Sequence, residues 1–83
     1  MYYVYLLQSK SGKERYVGYT YDLKRRLNQH NNGKNRSTKN RQWELVYYEA
    51  FKAKEDAEQR ERRLKHDGRA RRQLYDRLKS SLD

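Results

Sequence analysis

The chain contains no cysteine and no proline, and it has only four glycines and one methionine among its 83 residues. Without cysteine it forms neither disulfides nor thiolate metal sites, and a reducing cytoplasm is the natural setting. Two histidines, His30 and His66, are too few for a zinc site built on imidazole. Long apolar runs are missing as well. The longest covers residues 1–7, far short of a membrane span. No basic residues precede it and no small-residue cleavage site follows, so it reads as a strand rather than a signal peptide. No segment joins a long apolar face to a basic one, as an interfacial helix requires, and no membrane partner is expected. Hydrophobic residues make up 34% of the chain and charged residues 39%. That balance leaves a marginal core for one small domain spanning residues 1–83.

Acids are scarce beside bases: 11 Asp and Glu stand against 21 Lys and Arg, a net charge of +10, with a pI of about 10.0. Such an excess predicts a polyanionic partner, most simply nucleic acid. It also opposes close self-association, so a monomer is expected over a dimer. Tyrosine, by contrast, is abundant at nine residues. A phenol fills a core with its ring and reaches water or a partner with its hydroxyl, so some of these rings stand in for the missing Leu and Ile.

Periodicity argues against disorder. Residues 2–8 alternate Tyr3, Tyr5 and Leu7 on one face with Tyr2, Val4 and Leu6 on the other. Both faces are apolar, which predicts a central strand. Residues 9–14, with Gly12, read as a hairpin connection and residues 15–19 as the return strand. A helix follows over 22–32, capped by Thr20 or Asp22, with Leu23, Leu27 and His30 as its stripe and Arg26 on the border. Residues 34–42 carry Lys34, Arg36, Lys39 and Arg41 without an acid and read as a basic loop. A third strand is expected over 43–51, a helix over 54–66 with Ala57 and Leu64 inward, and a last helix over 69–82 striped by Leu74, Tyr75, Leu78 and Leu82. The order β-β-α-β-α-α predicts an α+β fold, a three-stranded antiparallel sheet flanked by three helices.

Five side chains stand out against this frame. Glu61 falls between Ala57 and Leu64 on the wheel, a position that predicts a carboxylate facing the sheet and therefore needing a partner. That partner is an arginine such as Arg26 or Arg60, or else a divalent metal. Arg26 and His30 are four apart and share a helical face. Arg26 reads either as one of three solvated bases or as a bidentate phosphate clamp. His30 is a helix-terminal histidine favoured by the dipole, or a group that bonds phosphate or relays a proton near neutral pH. Tyr5 and Tyr16 are core rings, or phenols that orient or deprotonate a water. Gly18 ends a strand or admits a close neighbour.

In this order, the residues resemble the GIY-YIG nuclease family. Tyr3-Val4-Tyr5 is similar to the first half of that signature and Tyr16-Val17-Gly18 to the second. Residues 20–33 look like the family's first helix, and residues 56–65, through Glu61, like its metal-binding helix. The likeness spans nearly the whole chain and is strongest to small stand-alone bacterial members. It implies a metal-dependent nuclease acting on DNA or RNA, with Glu61 holding one Mg²⁺ or Mn²⁺. Tyr5 and Tyr16 would lie near the attacking water, Arg26 on the phosphate, and His30 beside them, while Gly18 matches the family's glycine. Two positions depart from the pattern. Tyr3 stands where the signature has its first glycine. No asparagine follows Asn40, although many members have one beyond the glutamate, and Gln73 occupies about that region.

Three functions fit these observations. The first is a metal-dependent nuclease with weak sequence specificity, whose nucleic-acid contacts would be Lys34, Arg36, Lys39, Arg41, Arg62, Arg63, Arg69 and Arg72, with Arg71 beside them. The second is a non-catalytic nucleic-acid-binding module using the same basic surface. The third is an interaction protein for an acidic partner.

Overall fold

A computed structural model describes residues 1–32 and 42–82. Three strands, β1 (Tyr2–Ser9), β2 (Arg15–Thr20) and β3 (Trp43–Phe51), form one antiparallel sheet, with α1 (Leu23–Asn31), α2 (Lys54–His66) and α3 (Gly68–Arg77) around it. The sheet order is β2-β1-β3. Strand β1 is central, as its two apolar faces require.

Each face of β1 carries its own core. Val4 and Leu6, with Val17, pack against Ala57 and Leu64 of α2 and Leu74 of α3. Tyr5 and Leu7, with Trp43, pack against Leu23 and Leu27 of α1. A helix thus lies on either side of the sheet, and the small core is split in two.

One irregularity decides which face Trp43 serves. Leu6 pairs with Tyr47 but Leu7 pairs with Leu45, so the β1–β3 ladder skips Val46. Trp43 and Tyr47 have the same parity, and strict alternation would put both rings on one face. The one-residue bulge reverses that. Tyr47 joins the α2–α3 core while Trp43 joins the α1 core.

The helix ends follow local chemistry. The Asp22 carboxylate accepts from the Arg25 amide at 3.1 Å, which caps α1. Asp67 ends α2 and also caps α3, accepting from the Arg69 amide at 2.9 Å, so the two helices join without a loop. The expected extension of the last helix to Leu82 does not form. Helix α3 stops at Arg77, and the Lys-Ser-Ser sequence beyond it is weakly helical. The tail turns back instead, and the Gln8 side-chain amide donates to the Leu82 carbonyl at 3.0 Å. In the β1–β2 turn, Gly12 has φ of +78°, a left-handed conformation that glycine adopts without strain. Among the described residues no helix is long and apolar enough to cross a membrane.

Candidate active site

The site grows from the register of β1 and β2. Tyr5 lies opposite Gly18, and Leu7 opposite Tyr16. The Tyr5 ring therefore leans over Gly18, and a methyl group there would overlap the ring's phenol carbon and oxygen. The missing side chain is what lets this ring lie flat across its neighbour strand. Tyr16, diagonal to Tyr5, keeps its ring centroid 6.3 Å away.

Helix α1 brings two more groups. Tyr5 Oη and His30 Nε2 are 2.8 Å apart, and Arg26 Nε donates to the same phenol oxygen at 3.4 Å. The Tyr16 ring meets the His30 ring edge to face at 4.9 Å and the Trp43 ring at 6.4 Å. His30 is 0% exposed and Tyr5 is 2% exposed, so their contact is shielded from water. Arg26 remains part-exposed, with Nη1 donating to the Gln29 amide oxygen at 3.2 Å. It opens into a hollow of about 210 Å³ lined by Thr20, Tyr21, Asp22, Arg25 and Gln29.

Burial sets the proton affinities. It pushes the Tyr5 phenol up to about 12, and the hydrogen bond from Arg26 offsets this only in part. It brings the His30 imidazole down to about 4, with the nearby Arg26 charge acting in the same direction. The bond to Tyr5 raises Arg26 above its ordinary value, so that guanidinium stays charged. At neutral pH the cluster is a neutral imidazole, a protonated phenol and a cation. For Tyr5, desolvation outweighs the lowering effect of the neighbouring arginine.

Helix α2 completes the cluster from the other side of the sheet. Its buried residues Ala57 and Leu64 pack on the Val4–Leu6 face. Lys65 Nζ nevertheless lies 5.5 Å from the centroid of the Tyr16 ring, whose face is the opposite one. It reaches there around edge strand β2. Lys65 also pairs with Glu61 at 3.2 Å, and the Glu61 charge is felt at both Tyr5 and Tyr19. Glu61, expected to face the sheet, sits at its margin with its side chain 23% exposed. The arginine partners expected for it are otherwise engaged. Arg60 grips Glu49 of β3 with Nη2 at 2.9 Å, and Arg26 bonds Tyr5.

Tyr5, Tyr16, Arg26 and His30 thus cluster over Gly18, and Glu61 is linked to them through Lys65. The contribution of Lys65 was missed, although its spacing of four from Glu61 signals a helical ion pair. Several expected residues lie elsewhere. Gln73 is exposed on α3 and lines a separate groove of about 470 Å³ with Phe51, Arg60, Arg63 and Arg69. Arg62, Arg63, Arg69 and Arg72 are exposed on α2 and α3. Arg71 is committed to structure, its Nη1 donating to the Leu64 and Lys65 carbonyls at the end of α2 at 2.9 and 2.7 Å. Lys34, Arg36, Lys39 and Arg41 lie outside the described residues.

A three-stranded sheet carries a paired-tyrosine, arginine and histidine cluster on one face, and the match of residues 1–76 to the GIY-YIG catalytic domain makes this a nuclease-type fold. This chain belongs to the GIY-YIG family. A UPF0213 protein of Bacillus pumilus is 41% identical over 76 residues, covering 89% of this chain and 76% of the relative. A UPF0213 protein of Streptococcus agalactiae is 41% identical over 75 residues, covering 88% and 84%. The solution NMR structure of the UPF0213 protein BH0048 from Bacillus halodurans superimposes with a TM-score of 0.57 at 40% identity, covering 92% of this chain and 84% of that one.

Proposed function

We propose that this protein hydrolyses phosphodiester bonds in DNA with a divalent metal ion and little sequence preference. The observation that carries this reading is the shared phenol oxygen of Tyr5, buried against His30 and held also by Arg26, which opens into the neighbouring hollow.

Glu61, the metal ligand that the family resemblance implies, suits a particular kind of ion. Among the described residues no group of three or more His, Cys, Asp or Glu side chains gathers, which argues against an all-protein cage. One carboxylate, Glu61, fits Mg²⁺ or Mn²⁺, which keep waters and take phosphate oxygens from the substrate. When bound, such an ion supplies positive charge to the phosphoryl oxygens and the departing oxygen.

The protein's own groups do the rest. Arg26 binds the phosphate through its exposed guanidinium and strengthens its hold as charge builds. Tyr16, part-exposed beside Lys65, orients the attacking water. Burial is the larger influence holding His30 down and persists; a phosphate at Arg26 offsets only the lesser one, the arginine's charge. A proton from the water then passes to the Tyr5 oxygen while the Tyr5 proton moves to His30 Nε2. Because His30 is buried against Tyr5, it acts as this relay and not as a direct phosphate contact. Arg62, Arg63, Arg69 and Arg72 hold the backbone without reading sequence.

The test uses labelled single-stranded, duplex and branched DNA with Mg²⁺, Mn²⁺ or chelator, and Glu61→Ala alongside wild type. Metal-dependent cleavage that Glu61→Ala removes while binding persists supports the reading. Equal cleavage by both proteins overturns the role given to Glu61, and strong binding without cleavage leaves a nucleic-acid-binding module.

A further inference from the structure

The sheet face that carries Tyr5 is only half roofed. Leu23 and Leu27 of α1 cover the end built by Leu7, Tyr16 and Trp43. Beyond them the same face presents Tyr3, two positions along β1 from Tyr5, and Tyr48, the β3 residue paired with Tyr5. The Tyr3 and Tyr48 rings meet edge to face, with centroids 5.8 Å apart and planes at 70°. Neither ring belongs to either apolar core, and Tyr48 is 52% exposed. A single exposed hydrophobe is ordinary. Two rings braced against each other on an open face, beside a cationic centre, are not accounted for by packing. Tyr3 also occupies the position of a glycine in the family signature, so the fold does not demand a ring there.

We propose that Tyr3 and Tyr48 form a platform on which an unpaired nucleobase stacks, next to the phosphate held by Arg26. The inference rests on the nuclease reading for the position of that phosphate. The occupant follows from charge and shape. A chain of net charge +10 draws a polyanion, and an aromatic platform accepts the flat face of any base. A base inside a duplex hides both faces. The substrates this surface selects are therefore strands with unpaired bases flanking the scissile bond, with no preference for a particular base.

The test uses full-length protein in chelator, so that nothing is cut, with oligonucleotides carrying a fluorescent adenine analogue in single-stranded or fully paired form. Wild type is compared with Tyr48→Ala, with the Tyr3→Ala/Tyr48→Ala pair and with the Tyr3→Phe/Tyr48→Phe pair, each checked for native circular dichroism. Stacking predicts quenching of the probe in single strands only. It also predicts roughly a 10-fold loss of single-strand affinity in the double alanine variant, a smaller loss in Tyr48→Ala and retention in the phenylalanine pair, with duplex affinity unchanged. Unchanged single-strand affinity in the alanine variants, an equal loss on duplex, or a phenylalanine pair as weak as the alanine pair overturns the proposal. So does a wild-type dimer that Tyr48→Ala dissociates, since the face would then be covered by a second copy along edge strand β3. Quenching without metal-dependent cleavage defeats the nuclease reading and leaves the platform standing, whereas cleavage without quenching does the reverse.

Discussion

Tyr5 and His30, 25 positions apart in sequence, share a buried hydrogen bond of 2.8 Å between phenol oxygen and Nε2. Arg26 can only donate to the phenol, and the proposed relay uses the tautomer in which the phenol donates to Nε2 and His30 carries its own proton on Nδ1. Tyr5→Phe keeps the ring and removes the oxygen that joins the two groups. We expect cleavage to fall by about 100-fold or more and stability by about 1 kcal/mol, as read by single-turnover kinetics and urea denaturation. Full activity in Tyr5→Phe would remove the relay from the mechanism.

His30 also makes stability depend on pH. Its folded value of about 4 lies below its ordinary 6.5, so the unfolded chain takes up the proton first. Its contribution is fully present above pH 6.5 and is lost as pH falls toward 4. The loss is at most roughly 3 kcal/mol. Urea midpoints measured across that window should fall with pH, and His30→Gln should flatten the slope. An equal slope in both proteins would place the titration elsewhere.

Gly18→Ala tests the close approach of Tyr5. The added methyl overlaps the phenol, so either the ring or the strand must move. We expect a loss of about 1–3 kcal/mol together with a cleavage defect, because the ring cannot shift without leaving His30 and Arg26. A thermal melt unchanged from wild type would show that the sheet absorbs the methyl.

Lys65→Met should release Glu61. In the protein as described, the ammonium holds the carboxylate at 3.2 Å and competes with any cation arriving there. Exposed pairs of this kind contribute about 0.2–1 kcal/mol, so metal affinity by calorimetry should rise by no more than about 5-fold. Weaker metal binding in the variant would mean that Lys65 supports the site and does not oppose the ion.

Most of the fold was legible because strand and helix periods differ and this chain keeps to them. Two apolar faces on residues 2–8 identified the central strand, and Thr20 or Asp22 marked the start of the first helix. Tyr5, Tyr16, Arg26 and His30 could be grouped because α1 follows β2 directly. Three features were hidden. The bulge at Val46 sends Trp43 to the α1 face, and no alternation rule reveals a skipped residue. Lys65 sits in a run of charges that looks solvated, and only the fold shows it reaching Tyr16 around an edge strand. The return of the tail after α3 includes a Gln8 bond to Leu82, 74 positions away, which local propensity does not reveal.

The Asn31 side chain holds the start of β3 from both sides, with Oδ1 accepting from the Trp43 amide at 2.7 Å and Nδ2 donating to the Trp43 carbonyl at 3.2 Å. This double latch fastens the last turn of α1, and with it His30, to the start of β3. Grafting a longer or differently charged connection between them should retune which polymers are captured while the chemistry one turn away stays in place.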